Sequence, residues 1–317
     1  MDGFFAIFNM NLLNAMIRLS TPITLAAIGA TICERSGIVN IAMEGIMLVG
    51  AFFALTGAYY SGSPWVGLIT GIAAGGIFSL IHAAATITLH IDHVVSGAVL
   101  NILALGITRF LMVFFFGHPG TTEPIRQSLR NYAFRIPVLA DIPVIGDLLF
   151  SQTPIVFMTF ILVILFAFVM KKTKLGIHII SAGEHPLALE TIGVSVVKIR
   201  YTAVLVSGLT SGMAGAFLSI ENATSFTEGM SSGRGFLALA ANISGGWTPI
   251  GSFIASLFFG FSDALQIRFQ VLKLFNVPSE LFIIFPYAVA VIAVASFVRR
   301  SRAPKALGSD FRIEREK

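Results

Sequence analysis

The chain has 317 residues, of which 56% are hydrophobic and only 12% are charged. A soluble domain carries about 25% charged residues, so this composition excludes a soluble globular protein and indicates a chain embedded in lipid. The single cysteine, Cys33, excludes an internal disulfide, and much of the net charge of +5 lies in two clusters, which is unlike a nucleic-acid-binding surface.

Long apolar segments recur along the whole sequence. Because about 20 apolar residues cross the hydrocarbon core, the sequence predicts an all-α, polytopic transmembrane bundle with about nine spans. One segment, 234–247, is too short for a full crossing. It is interpreted as a half-span, either a half-helix or a re-entrant piece, which is tolerated only where it is buried in protein or lines a cavity. The predicted spans are 12–33, 38–60, 65–89, 94–116, 153–170, 201–220, 234–247, 249–270 and 279–298.

Basic residues predict the orientation, because cytoplasmic loops carry an excess of Lys and Arg. The basic groups at 171–174 and 299–305 follow the fifth and the last span. Both are expected in the cytoplasm, which puts the N-terminus outside and the C-terminus inside. The loop 117–152 is then external and the loop 171–200 is cytoplasmic.

Residues 1–300 are predicted to form one transmembrane domain, followed by a polar, solvated cytoplasmic tail at 301–317. The sequence contains no G-x-x-x-x-G-K-[ST] loop, so the chain is not expected to hydrolyse ATP by that route. The densest group of possible metal ligands, 90–93, is interpreted as a short cytoplasmic turn. Neither a catalytic residue nor a metal site is predicted.

Small residues four apart, at Gly71/Gly75 and Gly208/Gly212, predict close helix packing. In the cytoplasmic loop, Pro186 suits the first turn of a helix. The stretch 186–192 is therefore predicted to be a short helix that ends near Gly193. Its exposed apolar residues suit docking to a partner protein, and an interfacial helix lying on the lipid is an equal alternative.

Four motifs, in order along the chain, resemble the branched-chain amino acid/ribose permease superfamily of ABC importers. The motif Gly183-Glu184-His185-Pro186, with Gly193 and the span from Tyr201 to Gly215, resembles the cytoplasmic coupling loop and the next span of that family. The nucleoside/simple-sugar branch is indicated by Glu34–Gly45, Ile142–Gly146, and Gly233–Ala240 with Trp247–Gly251. Ala42 departs from the glycine expected there, and Ser244-Gly245-Gly246 is looser than the family pattern.

The resemblance implies a type II ABC importer permease in a bacterial cell membrane. It implies a homologous second permease, a cytoplasmic ABC ATPase that binds ATP and Mg²⁺, and an extracellular substrate-binding lipoprotein. No cofactor is expected in this chain. Nucleosides are the first substrate expectation, followed by simple sugars and riboflavin-like vitamins. The residues expected to receive the motion of the ATPase are Gly183, Glu184, Pro186, Ala188, Thr191 and Gly193.

Polar groups at lipid depth usually face a cavity or a partner, since burying a charge at mid-span costs about 2.5–3.5 kcal/mol. The predicted substrate-pathway residues are Asn40, Glu44, Ser96, Asn101 and Asn242. For Ser96, Asn101 and Asn242, structural hydrogen bonding is favoured over contact with a solute. Asn40 and Glu44 could instead clamp helices or pair with Arg18 or Arg109. The aromatic candidates for contact with a base are Phe52, Phe236 and Trp247.

Two other classes compete with the importer hypothesis. An ion-coupled secondary transporter needs coupling-ion ligands at mid-membrane, and Glu44 could serve as its proton site. A membrane enzyme needs a convergent nucleophile, base or metal site, and the sequence offers no such set.

Overall fold

The structure is a computed structural model that describes residues 9–135, 137, 142, 145–272, 279–297 and 302–311. The described part is mainly helical, with a two-stranded antiparallel pair of β1 (Phe134–Arg135) and β2 (Ser151–Gln152) in the predicted external loop. The helices are α1 (Met10–Arg35), α2 (Met43–Ser61), α3 (Pro64–Ala83), α4 (His93–Phe116), α5 (Ile145–Leu149), α6 (Pro154–Lys172), α7 (Lys174–Glu184), α8 (Pro186–Thr191), α9 (Val196–Ala216), α10 (Arg234–Ser244), α11 (Pro249–Leu272) and α12 (Ser279–Phe297). Short π-helical segments, Ala84–Thr88 and Phe217–Ala223, extend α3 and α9.

Seven helices of the described chain are long and apolar enough to cross a membrane: α1, α2, extended α3, α4, α6, extended α9 and α11. This confirms the prediction of a polytopic helical membrane protein. The predicted half-span corresponds to the 11-residue helix α10, and the last predicted span to α12. The total of nine spans stays a prediction.

The second predicted span begins five residues too early, because residues 38–42 are not helical. Gly37 adopts a φ of 96°, a conformation that glycine tolerates and that ends α1. Its N–H still bonds to the Glu34 carbonyl. Ile38 and Ala42 are fully buried, so hydropathy alone could not separate this irregular connection from a helix.

The centre of the bundle is α9, which packs against α1, α2 and α3 through small residues. A Cβ on Gly212 would lie 2.6 Å from the Gly71 carbonyl oxygen, and one on Gly75 would lie 2.5 Å from the Gly212 Cα. A Cβ on Gly208 would lie 2.8 Å from the Gly75 carbonyl oxygen. These contacts confirm the predicted close packing, since only residues without a side chain let the backbones approach this far.

The predicted cytoplasmic helix is present as α8, Pro186–Thr191, and Gly193 follows it with a φ of 83°. The preceding helix α7 was not predicted within the loop 171–200. Its first turn is capped by Thr173, whose hydroxyl accepts a hydrogen bond from the Gly176 N–H.

The described part of the tail, 302–311, is mostly exposed, but two of its residues are buried and its backbone bonds to the rest of the chain. Pro304 and Ala306 are buried, and the Ala306 N–H donates to the Gly183 carbonyl at 2.8 Å. Of the motif 142–146, the positions 143 and 144 lie outside the described residues.

Candidate functional site

Glu44 lies in the first turn of α2 and holds the start of α10. Its Oε1 accepts a hydrogen bond from the Gly233 N–H and its Oε2 accepts one from the Gly235 N–H, each at 2.7 Å. The first N–H groups of a helix have no partner within the helix, and the helix dipole favours a negative charge there. Glu44 is therefore an inter-helix clamp, and its contact with a solute stays a prediction.

Asn101 of α4 lies beside the same turn. Its Oδ1 accepts from the Gly45 N–H at 2.8 Å, and its Nδ2 donates to the Ile41 carbonyl at 3.0 Å. Glu44 and Asn101 are both partly exposed. The structure therefore brings these two predicted pathway residues together at the start of α2.

The other predicted pathway residues are more deeply buried and are bonded elsewhere. Asn40 is fully buried and its Nδ2 donates to the Ser207 Oγ at 3.2 Å. Ser96 Oγ lies 2.9 Å from the Nδ1 of His82. Asn242 belongs to a separate network described next. Structural hydrogen bonding accounts for each of these contacts, and solute contact by these residues stays a prediction.

A buried polar network joins α1 to both ends of the turn after α10. The Glu34 Oε2 accepts from the Asn242 Nδ2 at 2.8 Å and from the Trp247 Nε1 at 2.5 Å. Thr31 Oγ1 donates to the Asn242 Oδ1 at 2.8 Å and lies 2.8 Å from the Ser252 Oγ. The sequence singled out Asn242 but missed the role of Glu34, whose signal was a carboxylate at the end of a long apolar run.

The three aromatic candidates differ in exposure. Phe52 is fully buried among phenylalanine rings, and Trp247 is 7% exposed. Phe236 is 48% exposed and directly follows Gly235, whose N–H binds Glu44. Phe236 is therefore the exposed candidate, and it is the next residue in sequence after a glycine that binds the Glu44 carboxylate.

The arginines considered as partners of Glu44 have other contacts. Arg18 donates to the Asn222 Oδ1 at 3.3 Å. Arg109 Nε lies 3.8 Å from the Glu228 Oε1. Among the described residues, Glu44 forms no ion pair with either arginine, so that alternative is wrong. The clamp alternative is the one observed.

Replacing Glu44 with alanine is expected to loosen the start of α10, because two backbone N–H groups lose their acceptor. Each such loss costs about 1–3 kcal/mol when the group is buried, and less where water reaches it. Glu44→Gln keeps one carbonyl oxygen as acceptor, so its loss of stability should be smaller than that of Glu44→Ala. Thermal stability in detergent measures both variants, with the exposed Glu123→Ala as control. Equal stability of Glu44→Ala and the control would contradict the clamp.

Helix α7, which leads into α8, is connected to this region through Arg35. Its guanidinium lies 4.0 Å from the Glu184 carboxylate at the end of α7. It also donates from Nε to the Trp247 carbonyl at 2.8 Å and from Nη2 to the Gly246 carbonyl at 3.3 Å. Glu184 is thus connected through one side chain to the turn that follows α10.

The predicted coupling residues fall on or beside α8. Gly183 is buried, and a Cβ there would collide with the Arg35 carbonyl oxygen. Leu189 is 2% exposed and anchors the helix, whereas Leu187 and Ile192 are 68% and 70% exposed. The remaining predicted residues, Pro186, Ala188, Thr191 and Gly193, are partly or fully exposed. The outer side of α8 therefore presents apolar groups with no covering segment among the described residues.

Residues 12–294 match the family model described as "Branched-chain amino acid transport system / permease component". The chain is 42% identical to the guanosine ABC transporter permease protein NupQ of Bacillus subtilis, over 91% of this chain and 92% of NupQ. It is 37% identical to the nucleoside ABC transporter permease protein NupC of Lactococcus lactis, over 93% and 95% of the two chains. No solved structure matches this chain.

A putative glucose ABC transporter permease protein, TsgC13 of Haloferax volcanii, is 35% identical over 84% of this chain and 80% of its own length. Bacillus subtilis and Lactococcus lactis each contain a second, more distant match. These are the guanosine ABC transporter permease protein NupP of Bacillus subtilis, at 27% identity, and the nucleoside ABC transporter permease protein NupB of Lactococcus lactis, at 23%. The relatives therefore occur as pairs of permeases in both organisms.

Proposed function

Since this chain belongs to the branched-chain amino acid transport system permease family, we propose that it forms half of the solute pathway of an ATP-driven nucleoside importer. The observation that carries the proposal is the near full-length similarity to two permeases named for guanosine and nucleoside transport. A simple sugar is the second candidate substrate, favoured by the similarity to the putative glucose permease.

We propose that the pathway passes the start of α10. Asn101 lies eight residues into α4, about 12 Å along a helix and close to the middle of a hydrocarbon core of ~30 Å. The Glu44 carboxylate and the Asn101 amide there offer hydrogen-bonding groups. Phe236, which follows the Glu44-bound Gly235 in sequence, offers an exposed ring. A nucleoside presents ribose hydroxyls to the polar groups and a flat base to the ring. Asn40, Ser96 and Asn242 then support the pathway walls from behind.

In this proposal the chain has no ATP site of its own, and a partner ATPase binds ATP and Mg²⁺. The exposed Leu187 and Ile192 of α8 are the proposed contacts with that ATPase. The paired relatives support a second, related permease as the other half of the pathway. An extracellular lipoprotein is the proposed donor of solute.

We propose nine membrane segments, in which α10 is a half-span and α12 is the last. The N-terminus is then outside and the C-terminus is cytoplasmic, with the basic groups at 171–174 and 299–305 on the inner side. Labelling of single cysteines introduced at Lys171 and Glu123 tests this arrangement. Modification of position 171 from outside intact cells would contradict it.

The function is tested by nucleoside uptake into proteoliposomes that hold both permeases, the ATPase and the lipoprotein. Uptake is expected to require ATP on the side of the membrane that carries the ATPase and to stop when the ATPase is inactivated. Uptake by this chain alone, driven by a pH gradient, would instead establish the secondary-transporter alternative.

Replacing Leu187 with glutamate is expected to release the ATPase, because a charge would be buried in an apolar contact. Loss of one central contact costs about 2 kcal/mol or more, equivalent to at least about a thirtyfold weaker association. Co-purification of the ATPase with the permease measures the effect. Leu187→Met keeps the apolar contact and serves as the matched control. Equal co-purification of both variants would remove α8 from the ATPase interface.

A further inference from the structure

The C-terminal strap, defined here as residues 304–311, crosses two cytoplasmic segments of the protein. The Ala306 N–H donates to the Gly183 carbonyl at 2.8 Å, and the Gly308 N–H donates to the Gly37 carbonyl at 2.9 Å. Gly183 precedes α8, and Gly37 lies in the connection between α1 and α2. The strap therefore joins the segment that carries α8 to the irregular connection in front of α2.

Arg200, near the start of α9, lies beneath the strap and is 3% exposed. Its Nε donates to the Ser36 carbonyl at 3.2 Å, and its Nη1 lies 3.5 Å from the Ser309 carbonyl oxygen. Its guanidinium also lies over the Phe311 ring, 5.7 Å from the ring centre. One buried cation thus contacts both the α1–α2 connection and the strap.

The end of the strap supports α8 from the side opposite to its exposed residues. Phe311 packs against the small cluster formed by Ala182, Leu189 and Val196. Asp310 Oδ1 lies 2.5 Å from the Nδ1 of His90, in the connection between α3 and α4. The strap is therefore attached at its end as well as along its backbone.

A helix of six residues has little stability of its own, so the position of α8 depends on tertiary contacts. Leu189 is its buried anchor, and the Glu190 carboxylate accepts from the Val196 N–H at 2.9 Å. Phe311 packs against the cluster that contains this anchor. Loss of the strap would leave α8 held by fewer contacts on its inner side, while the contacts among the long helices are unchanged.

We propose that the strap is a positioning element that holds α8 against the α1–α2 connection, so that movement of the partner ATPase reaches α2 and the Glu44 clamp. This inference builds on the proposed importer function. Without the strap, α8 moves with the ATPase while the long helices follow it less, and solute transport per ATP falls.

The test compares the full complex with two shortened chains, one ending at Ala303 and a control ending at Phe311. The chain ending at Ala303 is expected to show at least about tenfold faster amide exchange at 186–192. It loses the two backbone hydrogen bonds of the strap, the contacts of the strap with Arg200 and His90, and the apolar contact of Phe311 with the cluster around Leu189. Its solute import per ATP hydrolysed should fall several-fold while ATPase activity is retained. The control should match the full chain in both measurements.

If the shortened chain does not assemble, Phe311→Ala tests the same idea. Phe311→Leu keeps an apolar side chain against the cluster of Ala182, Leu189 and Val196, and should restore most of the import per ATP. Unchanged amide exchange at 186–192, or unchanged import per ATP, would overturn the proposal. Amide exchange needs no substrate. A complex could move no nucleoside and still show faster amide exchange at 186–192 when the strap is removed. That result would contradict the proposed nucleoside transport but support the proposed role of the strap.

Discussion

Replacing Gly212 with leucine is expected to prevent the central helices from packing. A Cβ at this position would already lie 2.6 Å from the Gly71 carbonyl oxygen and 3.0 Å from the Gly75 Cα. These are backbone atoms, so no change of side-chain rotamer can relieve the clash. On the other side, a Cβ on Gly50 would lie 2.6 Å from the Gly212 Cα. The expected cost exceeds the ~1–3 kcal/mol that extra methylenes cost in a packed core.

The effect is measured as the fraction of protein that remains a single species in detergent after heating. Gly106→Leu is the matched control, because Gly106 also lies inside a predicted span but a Cβ added there would meet no atom within 4 Å. The Gly106→Leu variant should retain the stability of the original chain. The stability of Gly212→Ala should lie between those of Gly212→Leu and Gly106→Leu. If Gly212→Leu and Gly106→Leu survive heating equally, α9 is not packed as described.

Replacing Glu34 with leucine is expected to produce the second large loss. The Asn242 Nδ2 and the Trp247 Nε1 share the Glu34 Oε2 as acceptor, and all three side chains are buried. A buried donor without an acceptor costs about 1–3 kcal/mol, so losing both bonds costs about 2–6 kcal/mol. Since α10 is held at its other end by Glu44, the loss should appear first as loosening of the turn after α10.

Thermal stability of the purified complex and amide exchange at 242–248 measure this effect. Glu34→Gln keeps a carbonyl oxygen in nearly the same volume and is expected to lose much less. Trp247→Phe removes one donor, so its effect should be partly hidden when combined with Glu34→Leu. Additive effects in that double variant, or equal stability of the leucine and glutamine variants, would show that the carboxylate does not hold the turn.

Hydropathy predicted the long helices well where apolar runs and helices coincide. The predicted span 153–170 corresponds to Pro154–Lys172, and the predicted half-span begins at the first residue of α10. Prediction failed at residues 38–42, because a buried irregular segment is as apolar as a helix. It also missed α7, whose alternating polar and apolar residues occur in a loop identified by its charges.

The site was predicted less completely than the helices, because its contacts join residues that are far apart in the sequence. The sequence indicated that polar groups such as Glu44, Asn101 and Asn242 must have partners, since polar groups at lipid depth are costly. It could not identify those partners, because Glu44 and Gly233 are separated by 189 residues and Glu34 and Trp247 by 213.

The sequence by itself determined the membrane location, the helical class, the family resemblance and the short helix Pro186–Thr191, because each follows from composition or from residues close together in the chain. Only the tertiary structure decided that Glu44 clamps the start of α10, that Glu34 holds the turn after it, and that the tail returns to Gly183 and Gly37. The physical reason is that hydropathy and local spacing specify which segments leave water, whereas contacts between distant segments specify how buried polar groups are satisfied.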